Sequence, residues 1–86
     1  MIHFAFRGTI ADIDATIPEE PFNPTIVLII EVGDTFYRVI VPEEVLNGSR
    51  ELLCVARPVH VFGEVKHSRW GPRHVATELR LVGSLH

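Results

Sequence analysis

The sequence predicts an all-β fold: a small five-stranded barrel with one short helix between its third and fourth strands. Three observations carry that prediction. Five segments rich in β-branched residues either alternate apolar and polar side chains or run apolar on both faces, the pattern of strands and not of helices. Glycines interrupt two of them, at Gly8 and Gly63, as a sheet requires where it curls to close on itself. The segments follow one another as three strands, a helical connection and a two-stranded hairpin.

The first strand covers residues 2–10, with Ile2, Phe4, Phe6, Gly8 and Ile10 on one side and His3, Ala5, Arg7 and Thr9 on the other. Residues 17–24 hold Pro18, Pro21 and Pro24 around Phe22 and form a loop. The second strand, residues 25–32, is apolar on both faces; Gly33-Asp34 turns the chain into a third strand from Thr35 to Val41, giving a tight hairpin. Pro42 ends that strand. Followed by Glu43 and Glu44, its fixed φ suits the first turn of a short helix that Asn47-Gly48 closes. A second helical segment is predicted from Ser49 through Leu52, Leu53 and Val55. Pro58 opens the fourth strand, with Val59, Val61, Gly63 and Val65 on one face. Gly71-Pro72 reads as the next turn, and Val75, Thr77, Leu79 and Leu81 as the alternation of the fifth strand.

Closing five such strands into a barrel removes the bare edges that an open sheet would expose. The order is that of the five-stranded Greek-key barrel called the OB-fold, which commonly binds oligonucleotides across its second and third strands. An SH3-like barrel also has five strands, but offers no natural place for a helical segment between the third and fourth. With 86 residues, one domain spanning residues 1–86 is expected.

Composition narrows the function classes. Apolar residues make up 47% and charged residues 22% of the chain, which is globular and not disordered. The longest apolar run, Ile26 to Ile30, is far short of the roughly 20 residues that span a bilayer, and no signal peptide is evident. No membrane partner is therefore expected. Cys54 is alone, so no intrachain disulfide forms; a single buried thiol suits a reducing cytoplasm. Carboxylates stand close together as Asp12 and Asp14, Glu19 and Glu20, and Glu43 and Glu44, none at a motif spacing from a nucleophile or base. A glycine-rich phosphate loop and a serine-centred elbow are also missing, so no catalytic residue, small-molecule substrate or cofactor is expected. His60, His67 and His74 show no zinc spacing and Cys54 lies far from them in sequence, so no metal is expected.

The net charge of −3 hides an asymmetry. Residues 1–56 carry three arginines against nine carboxylates, net −6, whereas residues 57–86 carry net +3. Within that basic half, Gly63-Glu64-Val65-Lys66-His67-Ser68-Arg69-Trp70 ends in the chain's only tryptophan, at the tip of the predicted hairpin. Cations track phosphates, and a flat aromatic face stacks on an unpaired base, so this stretch is a candidate contact for single-stranded nucleic acid. Lys66, Arg69 and Arg73 lie on or beside the hairpin, Arg80 lies further along, and Arg38 would join them across the barrel. Phe36 shares a strand face with Arg38 and Ile40, and Tyr37 with Val39 and Val41; either face could be the outer one. The second strand leaves the same choice between Ile26, Leu28 and Ile30, and Val27 and Ile29. Whichever set points out would place aliphatics in water and invite a partner subunit, so a homodimer is expected.

Several of these runs resemble the bacterial single-stranded DNA-binding protein family, PriB-like accessory proteins included. Phe36-Tyr37-Arg38-Val39-Ile40-Val41 is similar to that family's third strand, and residues 63–70 to its fourth. Phe6-Arg7-Gly8-Thr9-Ile10 looks like the opening strand and Leu79-Arg80-Leu81-Val82-Gly83 like the closing one. The resemblance covers most of residues 4–83. It implies an OB-fold that binds single-stranded DNA or RNA, with a role in DNA replication. Phe36 and Trp70 would stack on bases, and Arg38, Lys66 and Arg69 would contact phosphates. This chain departs from the family at Pro42, near a frequent further aromatic, and in its acidic first half. The alternative reading is a protein-interaction module using the aliphatic face of the second strand and the loop around Phe22.

Overall fold

Stiff β-branched side chains fit a pleated, half-buried surface, and each of the five segments becomes a strand in the computed structural model, which describes residues 2–14, 25–46, 50–69 and 71–82. The elements run β1 (Ile2–Asp14), β2 (Thr25–Val32), β3 (Thr35–Pro42), α1 (Glu43–Leu46), a single 3₁₀ turn (Arg50–Leu52), β4 (Pro58–Ser68) and β5 (Gly71–Leu81). They close into a barrel in the order β1-β2-β3-β5-β4. Every pairing is antiparallel except the short parallel contact between β3 and β5.

β1 makes closure possible by serving two neighbours in turn. Residues 2–9 pair with β4, and from Thr9 onwards the strand pairs with β2. The handover needs close backbone approach: a Cβ on Gly8 would lie 2.1 Å from the Glu31 carbonyl oxygen. A register shift between Ile10 and Asp12 leaves Ala11 as a bulge. The bulge breaks the alternation, which is why the strand continues to Asp14 although its period-two pattern stops at Ile10. Gly63 plays a similar part on β4, where a Cβ would lie 2.1 Å from the Val75 carbonyl oxygen and 2.7 Å from the Phe4 ring.

The interior choice on β2 is settled by packing. Ile26, Leu28 and Ile30 join Ile10, Val39, Val41, Val59, Val61, Ala76 and Leu46 in one buried cluster. Each fully buried aliphatic contributes roughly 1.5–3 kcal/mol relative to exposure. Leu46 brings α1 over one end of the barrel. Val27 corrects an expectation: it points away from that cluster by alternation, yet it is fully buried within a single chain, and Ile29 is half-buried. The outer face of β2 is therefore not a bare aliphatic strip.

Two further expectations change. The second helical segment is only the 3₁₀ turn, after which Leu53 packs on the core while Leu52 and Val55 stay exposed. Cys54, expected to be buried, is exposed. The loop around Phe22 and the helix stop at Asn47-Gly48 lie outside the described residues.

Candidate nucleic-acid interface

Alternation along β3 sends Tyr37, Val39 and Val41 inward and Phe36, Arg38 and Ile40 outward. Phe36 is 60% exposed and Arg38 is exposed, so Phe36, not Tyr37, is the ring on the outer face. Tyr37 instead stacks on Phe6, with ring centroids 4.2 Å apart, and Phe6 packs on Phe4 at 4.8 Å. His74 of β5 meets the Phe4 ring edge-on at 5.0 Å. These four rings form a layer packed beneath the outer residues of β3 and β5, and they hold the backbone under Phe36 in place.

β3 and β5 touch only briefly. Val39 pairs with His74 and Ile40 with Val75. On the N-terminal side of those pairs lies a groove of about 360 Å³. Its β3 wall is Phe36, Tyr37, Arg38 and Ile40, and its β5 wall is Pro72, Arg73 and His74. Three groups predicted from the sequence, Phe36, Arg38 and Arg73, thus meet at one groove. Lys66 stands directly across the β4–β5 ladder from Arg73 and is exposed. Among the described residues, neither Arg38 nor Lys66 forms an ion pair.

The hairpin differs from its predicted form. Gly71 and Pro72 are not the turn but the first residues of β5, with Gly71 paired to Ser68 and Pro72 to His67. Gly71 has φ +108°, a conformation favouring glycine, and Ser68 Oγ donates to its carbonyl oxygen at 2.9 Å. Pro72 is tolerated because its strand has only one partner at that level. Arg69 is exposed at the hairpin end, beyond the groove. Trp70 lies outside the described residues. Arg80 is elsewhere: it pairs with Glu78 and lies 5.5 Å from the centroid of the Phe62 ring.

Carboxylates border the same outer surface on its β1–β2 side. Glu31 sits opposite Phe36, and Asp12 opposite Ile29, which in turn faces Arg38. Both acids are exposed. The surface is therefore cationic and aromatic toward β5 and anionic toward β1. His74 and Pro72 were not singled out as groove residues by sequence, since only a long-range parallel contact brings them to β3. Among the described residues no three His, Cys, Asp or Glu side chains are grouped to hold a metal ion, and no helix is long and apolar enough to cross a membrane.

Neither a protein-family model nor a curated protein sequence matches the chain. Among solved structures, the dimeric N-terminal domain of the PriB protein from Thermoanaerobacter tencongensis is similar, with a TM-score of 0.78. The match covers 96% of this chain and 98% of that domain at 13% sequence identity. The fold is an OB-fold. At that identity the likeness extends to the backbone course, and the groove residues must be judged on their own chemistry.

Proposed function

We propose that the chain is a non-enzymatic OB-fold protein that binds single-stranded DNA or RNA without strong sequence preference, with affinity drawn mainly from stacking and phosphate contacts. One observation carries this reading: a phenylalanine that is 60% exposed stands at a groove flanked by Arg38 and Arg73. A large ring left in water, held from below by a packed aromatic layer, suits a flat partner better than a core. The guanidinium groups on either wall supply the charge that a stacked base's backbone needs. Lys66, beside Arg73, extends the cationic track toward Arg69 and Trp70 in sequence, where a second base would stack.

The neighbouring PriB domain is dimeric, and a dimer suits this chain as well. Residues 2–8 of β1 pair with β4 along one edge, whereas no described strand covers the other until β2 joins at Thr9. An unpaired edge is a ready template for a second chain. Two linked sites would raise the effective concentration of one for the other. A cytoplasmic location and a part in DNA replication accord with this reading.

Anisotropy titration of a fluorescent oligo-dT tests the proposal. Binding should saturate at low salt and weaken on a log–log plot with a slope of roughly −0.7 per phosphate contact, about −2 for Arg38, Arg73 and Lys66 together. Trp70→Ala should weaken binding and leave the mass in solution unchanged. No binding of any oligonucleotide at low salt would dispose of the reading.

A further inference from the structure

The seam between β3 and β5 has a property that a flat stacking platform lacks. The two strands are joined only at Val39–His74 and Ile40–Val75 and part on the N-terminal side of those pairs. There β3 keeps β2 as its only described neighbour, and β5 keeps β4. Each therefore presents one open edge to the groove; on β3 that edge carries N–H donors and C=O acceptors at alternate residues, whereas Pro72 leaves the β5 edge without a donor at its level. Phe36 stands on one wall, and Arg38 and Arg73 stand on opposite walls. The space, about 360 Å³, lies at the small end of the roughly 300–1,000 Å³ range of small-ligand sites. That is room enough for one nucleotide.

We infer that this wedge is a pocket for a single nucleotide of the bound strand, with its base against Phe36, its flanking phosphates on Arg38 and Arg73, and its base edge against the open backbone edge of β3. The inference rests on the proposed single-strand binding and adds a fixed register to it. Stacking alone tolerates any base and lets a strand slide, because every base has a π-face. Backbone donors and acceptors at a base edge do not, since each base displays its own pattern. One nucleotide in the bound strand should therefore matter more than its neighbours.

An abasic scan tests this on the shortest oligo-dT that the protein binds saturably. Each thymidine is replaced in turn by an abasic unit, and affinity is measured for the natural chain and for Phe36→Ala. The expected result is one position at which base loss weakens binding at least fivefold, against twofold or less elsewhere. That penalty should vanish in Phe36→Ala, and Arg38→Ala should weaken every oligonucleotide alike while keeping the scan's shape. Exposed Phe36 can be replaced without disturbing the core, and circular dichroism verifies the fold of each variant. A flat scan, or a penalty unchanged in Phe36→Ala, overturns the pocket while leaving single-strand binding intact. Failure of the natural chain to bind any oligonucleotide overturns both.

Discussion

Along β3 one residue of register decides which aromatic ring meets solvent, because adjacent side chains point to opposite faces. Phe36 and Tyr37 are equally eligible by type, and the neighbouring Val39, Ile40 and Val41 are too alike to break the tie. What breaks it is tertiary: Tyr37 finds Phe6 at 4.2 Å across the barrel, whereas Phe36 has Glu31 opposite it on the outer face. The two positions should therefore separate binding from stability. Phe36→Ala is expected to weaken oligonucleotide binding by roughly 1–3 kcal/mol, about 5- to 150-fold, and to shift stability by about 0.5 kcal/mol or less, as exposed sites do. Tyr37→Ala should cost roughly 3 kcal/mol of stability by stripping a half-buried ring from the layer. Denaturant melts beside the anisotropy titration read both, and a reversed pattern would mean the wrong ring has been placed outside.

At the level of the elements, most of the architecture is legible in the sequence, and the exceptions have identifiable causes. Alternation located the strands, and their order in the chain specified the barrel, because hairpins and turns are local. The alternation of β1 stops four residues short of its end because the Ala11 bulge interrupts the period. Gly71-Pro72 suggests a turn because both residues favour turns, yet a proline can open a strand whose other edge is unpaired. The groove itself was invisible, since Phe36 and Arg73 are brought together only by barrel closure. Gly63 shows how closure and site are linked. Its missing Cβ admits both the Val75 carbonyl oxygen and the Phe4 ring, and Phe4 belongs to the layer beneath the groove. Gly63→Ala should destabilise the fold by about 1–3 kcal/mol or more, because the first contact is with backbone that cannot rotate away. It should also lower oligonucleotide affinity without touching a groove residue. Unchanged affinity in a folded Gly63→Ala would show that the aromatic layer does not position the groove.

Over the whole molecule, the charge asymmetry of the sequence becomes a boundary on one surface. The acidic half is not remote from the proposed site: β1 and β2 carry Asp12 and Glu31 onto the same outer face that β3 and β5 make cationic. Glu31, directly across from Phe36, is within a few ångströms of any base stacked there. Asp12 is two strand spacings from Arg38, roughly 10 Å, about one Debye length at 0.1 M salt. A phosphate backbone crossing toward β2 would meet Glu31 and then Asp12, whereas one following β3 toward β5 would meet Arg38, Arg73 and Lys66, with Glu64 alone among them. The carboxylates of β1 and β2 would therefore bias a bound strand toward the seam. Their removal gives a result of unusual sign. Glu31→Gln should raise oligo-dT affinity severalfold at low salt, and Asp12→Asn should add a smaller increment. Both gains should fade as salt rises through about 0.3 M, where screening shortens the reach of exposed charges. The gain should also be larger for longer oligonucleotides, since only a strand that leaves the seam encounters β2. If neutralising Glu31 leaves affinity unchanged at low salt, the bound strand does not run past Phe36, and the path along β3 and β5 is wrong.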